Sequence, residues 1–404
     1  MTALPDAPWR NRTGLDRLTR TLGAADGHAR FVGGAVRDTL LGIDVADVDV
    51  ATVHAPERVM ELLQAAGIRA VPTGIAHGTV TAVLPSGPVE VTTLRRDVDT
   101  DGRRATVAFT DDWRADAARR DFTMNALYAD PLTGEIFDYF GGLDDLERRH
   151  VRFIGEPLQR IAEDHLRILR FFRFLARFGD VPDPEGLAAC VARANDLMAL
   201  SRERIADELL KLLIARDAVK TVALMVERGI LAPVLPEITA AEVERLARTV
   251  AREQSLGLKP AACRRLGALL PRDAAVAQSV AARLKLSKAD RKRLENAVQP
   301  PEQGARADAY RLGVEFAVDR LINSELSDEM VAHRVAAVRD WTPPTMPIRG
   351  GEIIRRGISA GPDVARLVQA VERQWIEEDF PGPDRVAAIA DALVDQALRS
   401  NRKS

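Results

Sequence analysis

Two short groups of residues have the types and spacing to do chemistry together. Asp47-Val-Asp-Val50 alternates acidic and apolar side chains with period two, which predicts a strand carrying both carboxylates on one face. Their Cα atoms would stand roughly 6 to 7 Å apart, close enough to share two divalent cations. Upstream, Phe31-Val32 turns at Gly33-Gly34 into a short helix beginning near Ala35. A glycine turn before a helix offers free backbone N–H groups to a phosphate, and glycine lets that phosphate come close. Each fragment alone also has a plain reading, as a common turn or a solvated strand edge. Side by side they describe a phosphate cradle beside a metal seat.

Three further groups extend this chemistry. Glu90, within Val89-Glu-Val-Thr-Thr93, either completes a carboxylate trio with Asp47 and Asp49 or is a solvated strand residue. In Arg119-Arg-Asp-Phe-Thr-Met-Asn-Ala126, Arg120 can fork onto phosphate oxygens and Asp121 can accept from a ribose hydroxyl. The alternative there is a helix start whose charges pair among themselves. Further on, Asp164 and Arg167 stand three apart in a helical pattern running from Arg160 to Phe174, and so share one helix face. Such spacing is ordinarily a surface ion pair.

Taken together, these residues resemble the class II nucleotidyltransferases, the family of bacterial CCA-adding tRNA nucleotidyltransferases and poly(A) polymerases, with a catalytic domain of the DNA polymerase beta type. The similarity runs through Phe31–Thr52, Arg119–Ala126, Gly141-Gly-Leu-Asp-Asp-Leu146, the Glu163-Asp-x-x-Arg167 pattern and Ser201-x-Glu-Arg-Ile205, and covers nearly the whole chain. It implies a catalytic set of Asp47, Asp49 and Glu90, with two Mg²⁺ held by Asp47 and Asp49. Nucleotide binding would fall to Gly33, Gly34, Arg37, Arg120, Asp121, Asn125, Asp164, Arg167 and Arg170. The partners it implies are CTP, ATP and the tRNA 3′ end.

Within that resemblance the Asp164–Arg167 pair becomes an amino-acid template. Cytosine and adenine each present an amino donor beside a ring-nitrogen acceptor, matching a carboxylate acceptor beside a guanidinium donor. Uracil and guanine invert both contacts, each mismatch leaving a buried polar group unpaired at about 1 to 3 kcal/mol. His165 is expected to face solvent. Gly74-Ile-Ala-His-Gly-Thr79 looks like the element of CCA-adding members rather than its arginine-rich replacement in poly(A) polymerases. The aperiodic Arg95–Asp112 stretch reads as a mobile loop of the kind needed for A addition. Poly(A) synthesis, A-only addition and a non-catalytic tRNA-binding role are the competing readings.

The elements that must position these groups follow from periodicity. Leu15, Leu18 and Leu22 mark an amphipathic helix, and Pro56 opens a second over 55–66. Arg69–Pro72, Thr79–Leu84 and Val89–Leu94 read as strands, the last two forming a hairpin through Pro85-Ser-Gly-Pro88. Glu135–Asp138 is a last strand, and Gly141-Gly a turn into a helix that joins head to neck as a hinge. From Pro157 the pattern is helical, with Ser201 as an N-cap. The expected fold is α+β: a nucleotidyltransferase head (1–150) with a mixed sheet, then an all-helical neck (151–214), body (215–300) and tail (301–404).

Composition narrows the class. The 404 residues include 57 basic and 59 acidic side chains, a net charge of −2, so any nucleic-acid site must be a local basic patch. Lys288, Arg291 and Lys292 lie in the densest such cluster and are candidate tRNA contacts. Two cysteines far apart suggest a reducing compartment, and no apolar run approaches the roughly 18 residues of a membrane span. The expectation is a cytoplasmic protein with no membrane association.

Overall fold

A computed structural model describes residues 3–101, 104–302 and 304–401 of the chain. It folds as two units, Met1–Pro236 and Glu237–Ser404. Among the described residues the strands of the first unit are β1 (Ala29–Val32), β2 (Asp49–Thr52), β3 (Arg69–Gly74), β4 (Thr79–Leu84), β5 (Gly87–Thr93), β6 (Arg95–Asp101), β7 (Arg104–Phe109), β8 (Leu127–Ala129), β9 (Ile136–Asp138) and a short parallel pair, β10 (His150–Val151) and β11 (Val181–Pro182). Seven of them make one sheet in the order β3-β4-β5-β2-β1-β8-β9. The β2–β5 pair is parallel and its neighbours are antiparallel, so the sheet is mixed, as expected. β4 and β5 alternate, with Val80, Ala82, Val89 and Val91 buried, whereas Val50, Ala51 and Thr52 of the central strand β2 are buried in succession, on both faces.

Among the described residues ten α-helices complete this unit: α1 (Leu15–Thr21), α2 (Gly34–Leu40), α3 (Pro56–Ala65), α4 (Trp113–Ala118), α5 (Gly142–Glu147), α6 (Pro157–Glu163), α7 (Arg167–Phe178), α8 (Pro184–Ala192), α9 (Arg202–Leu213) and α10 (Ala218–Glu227). Pro56 holds the first-turn position of α3, and the Ser201 hydroxyl accepts from the Arg204 N–H at the start of α9. In α7, Ile168, Phe171, Phe172 and Leu175 recur at i, i+3, i+4 and i+7 and are buried. Burying each stabilises the fold by roughly 1.5 to 3 kcal/mol. That stripe leaves Arg167, Arg170, Arg173 and Arg177 on the remaining surface of the helix.

Three expectations are corrected. The helical pattern from Arg160 to Phe174 is two helices, broken at Asp164 (φ −152°, ψ 105°). The Asp164 side chain accepts from the Leu166 N–H at 3.1 Å, a local bond that competes with helix continuation. Asp164 and Arg167 therefore do not share a helix face. The Arg95–Asp112 stretch holds a two-stranded hairpin, β6–β7, with Arg95 opposite Phe109. Its charged composition masked the strand-forming Ala105-Thr-Val-Ala-Phe109. His165 is half-buried, with Nδ1 3.6 Å from Asp196, rather than facing solvent.

The second unit is helical: α11 (Ala240–Ser255), α12 (Ala262–Ala268), α13 (Ala274–Arg283), α14 (Lys288–Ala297), α15 (Ala305–Leu312), α16 (Val314–Ile322), α17 (Asp328–Ala336), α18 (Gly350–Arg355), α19 (Pro362–Glu377) and α20 (Pro383–Asn401). One core joins Ala305–Val338 with Leu256 and Leu258, and another spans Ile348–Val394 around Trp375. Among the described residues no helix is long and apolar enough to cross a membrane.

Candidate active site

The first unit encloses a cavity of about 450 Å³ at the ends of β1, β2 and β5. Gly33, Gly34, Arg37, Asp49, Glu90, Arg120, Asp121, Asn125, Asp164, Arg167 and Arg170 all line it. Eleven candidates scattered over some 140 residues thus meet in one place.

Gly33 has φ +67° and ψ −122°, a left-handed conformation that strains any residue with a Cβ. A Cβ there would also stand 3.4 Å from Arg120 Nη1, so glycine leaves room between backbone and guanidinium. Arg37 donates from Nε to Asp38 Oδ1 at 2.7 Å and from Nη1 to Asn125 Oδ1 at 2.5 Å. Its guanidinium packs 4.3 Å from the centre of the Phe178 ring.

Asp49 opens β2 and pairs in register with Glu90 on β5. Burial, then the negative charge of Glu90 and of Asp47, pushes the Asp49 carboxyl up to about 6. Carboxylates that repel each other in this way fit a divalent cation, whose charge would relieve them. Asp47 lies two residues before β2 and is exposed, Val48 and Val50 are buried and Asp49 is half-buried, a burial pattern of period two. Backbone pairing of β2 with β5 begins at Asp49. Among the described residues no group of three or more His, Cys, Asp or Glu side chains is gathered as a metal site.

The Arg119–Ala126 segment follows a helix instead of starting one, and turns through a short 3-10 stretch at Thr123–Asn125. Asp121 Oδ1 accepts from Asn125 Nδ2 at 2.8 Å and the Phe122 N–H at 2.9 Å, while Oδ2 accepts from Arg170 Nε at 2.7 Å. Burial opposes the charged form of Asp121, but Arg170 and these donors outweigh it and hold the carboxyl below its usual range. Arg120 donates from Nε to the Tyr128 hydroxyl at 3.2 Å and from Nη2 to Asp116 Oδ2 at 3.3 Å.

Asp164 and Arg167 reach the cavity from the break between α6 and α7. Each is aimed by a neighbour. Arg167 Nη1 donates to Glu163 Oε2 at 2.5 Å and to the Arg160 carbonyl at 2.7 Å. Asp164 Oδ2 accepts from Arg204 Nη2 at 2.7 Å. Arg160 in turn donates to the carbonyls of Arg119 and Arg120 at 2.6 and 2.7 Å, joining α6 to the phosphate-facing segment.

Asp38, Asp116, Arg160 and Arg204 were not singled out from sequence. Asp116 precedes Arg119 and Arg120 by three and four residues at a helix end, a spacing that announces pairing. Asp38 and Arg204 lie within stretches that carry the family resemblance, Phe31–Thr52 and Ser201-x-Glu-Arg-Ile205, but their spacing does not announce their partners. Lys288, Arg291 and Lys292 are exposed on α14 in the second unit and do not line the cavity.

Residues 29–152 match the family described as the poly A polymerase head domain, and residues 182–242 match a probable RNA and SrmB-binding site of polymerase A. Fold and cavity together are those of a nucleotidyltransferase. The human mitochondrial CCA tRNA nucleotidyltransferase 1 is 34% identical over 389 residues, 91% of this chain and 87% of the relative. A Streptococcus pneumoniae CCA-adding enzyme is 31% identical over 389 residues, 93% and 91% of the two chains. The crystal structure of the Bacillus stearothermophilus CCA-adding enzyme in complex with CTP superposes with a TM-score of 0.75 at 26% identity, covering 96% of this chain and 98% of that one. The chain belongs to the family of CCA-adding tRNA nucleotidyltransferases. Enzymes of this family's kind use divalent metal ions.

Proposed function

We propose that the protein adds C, C and A in turn to the 3′ end of tRNA, taking CMP and AMP units from CTP and ATP and releasing pyrophosphate. The observation that carries this reading is that Asp164 and Arg167 face the same cavity as Asp49, Glu90 and Arg120. A base-reading pair and a phosphate site then act on one nucleotide.

In this reading Gly33, Gly34, Arg37 and Arg120 hold the triphosphate, and Asp121, fixed by Arg170 and Asn125, accepts from the ribose hydroxyl. Asp164 accepts from the base amino group while Arg167 donates to the ring nitrogen. Asp47 and Asp49 would hold two Mg²⁺, with Glu90 beside them. When bound, such ions activate the terminal 3′-hydroxyl and neutralise the leaving pyrophosphate. The helical segments after residue 150 serve as neck, body and tail for the tRNA. The cytoplasm is the compartment we assign, on two cysteines that are both buried and free.

The test is incorporation of each labelled NTP into tRNAs ending in the discriminator base, in C, and in C C. CTP should extend the first two, ATP should add once to the third, and UTP and GTP should fail. The head-domain match also accommodates a poly(A) polymerase, and repeated ATP addition to any RNA would establish that instead.

A further inference from the structure

We propose that Asp116 is a positioning residue that ties the β6–β7 hairpin to Arg120 in the nucleotide cavity. The proposal rests on the nucleotidyl-transfer reading of that cavity. Asp116 lies on α4, is 2% exposed and is not among the residues lining the cavity. Four donors converge on its carboxylate. Oδ1 accepts from the Arg95 backbone N–H at 3.0 Å and from Arg119 Nε at 3.1 Å. Oδ2 accepts from the Tyr128 hydroxyl at 2.7 Å and from Arg120 Nη2 at 3.3 Å.

The donors come from three parts of the head: the hairpin, strand β8 and the Arg119-Arg120 segment. Arg95 is the first residue of β6 and itself lines the cavity. The hairpin is also rooted at Leu94, whose N–H donates to the Thr52 carbonyl and whose carbonyl accepts from the Thr110 N–H. Tyr128 is fully buried on β8. Its hydroxyl donates to Asp116 and accepts from Arg120 Nε at 3.2 Å, closing a ring that fixes the plane of the Arg120 guanidinium. The third Arg120 donor, Nη1, bonds the Asn125 carbonyl at 3.4 Å and faces Gly33.

A carboxylate has about four lone-pair sites, and at Asp116 four donors use them. A buried carboxylate that loses a donor is left with an unmet acceptor at a cost. Displacement of the hairpin root therefore moves the carboxylate, and the carboxylate moves Arg120. Because Arg120 faces the phosphate side, the effect falls on CTP and ATP alike.

The experiment is a double-mutant cycle in the full-length protein, with CTP and ATP dissociation constants measured by calorimetry. One arm is Asp116→Asn, and the other replaces residues 97–107 with a short Gly-Ser turn. Asp116→Asn should weaken both nucleotides by about tenfold. Shortening the hairpin should weaken them several-fold in the wild type and have no further effect in Asp116→Asn. Independent, multiplying effects overturn the proposal, as does a wild-type affinity indifferent to the hairpin. A merely structural Asp116 gives that multiplying result. If the wild type binds neither nucleotide, the functional reading fails and this proposal with it. Should Asp116→Asn fail to fold, Tyr128→Phe enters the cycle under the same criterion, since it keeps the ring and removes only the hydroxyl.

Discussion

Arg204 Nη2 and Asp164 Oδ2 lie 2.7 Å apart across 40 residues of sequence, so the carboxylate assigned to base reading is aimed from α9. Both side chains are partly exposed, which screens their attraction and makes direction its main contribution. Arg204→Ala should raise KM for CTP and ATP about three- to tenfold, with a smaller change in kcat. Steady-state incorporation on tRNA ending in C and in C C measures this. Unchanged KM values would show that Asp164 needs no guide.

The raised Asp49 carboxyl makes a prediction about stability with a definite sign. Its folded value of about 6 lies above the unfolded value, so its contribution is fully present below the unfolded pKa and lost as pH rises through about 6. Asp49→Asn removes that loss. At pH 7.5 and without metal the variant should be more stable than wild type by roughly 1 to 2 kcal/mol, while incorporation disappears. A thermal melt series from pH 4.5 to 8 with chelator checks it, and a variant that melts below wild type at pH 7.5 contradicts it.

Asp47 stands outside the strand and in solvent, so its removal tests metal holding with little structural cost. Asp47→Ala should abolish incorporation and leave CTP binding largely intact. Surviving incorporation would remove Asp47 from the metal set.

Asp121 is held as a carboxylate by Arg170, and it faces the cavity where a ribose would lie. Asp121→Asn keeps the shape but weakens both the acceptor and its hold on Arg170. The preference for CTP over dCTP should fall about tenfold, equivalent to one charge-assisted hydrogen bond. Competition between the two labelled nucleotides measures the ratio directly.

Charge reversal at Lys288, Arg291 and Lys292 should raise KM for tRNA, with a shallower salt dependence, and leave KM for ATP unchanged. Each of the three is exposed. Lys292 Nζ also lies 5.6 Å from the Phe316 ring centre, so that substitution is best paired with a melt. An unchanged tRNA constant would return the cluster to an ordinary solvated helix face.

Much of the fold was legible because its signals are local. The strand Thr79–Leu84, the first-turn Pro56 and the cap at Ser201 each depend on a few neighbouring residues, and each is found as expected. The cavity residues were legible through spacing and resemblance. What escaped is set by distant partners. The break at Asp164 depends on its own side chain, which accepts from the Leu166 N–H, and on Arg204. Asp116 was not singled out, because only the packing of Tyr128 and Arg95 against it reveals a junction.

Gly142 carries a consequence at the level of the gene. It begins α5, donates its N–H to Asp138 Oδ1 at 2.9 Å, and presses so closely on the Thr123 carbonyl that an added Cβ would overlap it. Thr123 belongs to the turn that presents Asn125 to the cavity. Every other amino acid brings a Cβ, so no missense change in this codon avoids the collision, however conservative it looks in size or polarity. Any substitution there must therefore displace the Thr123 backbone, and with it the turn that carries Asn125.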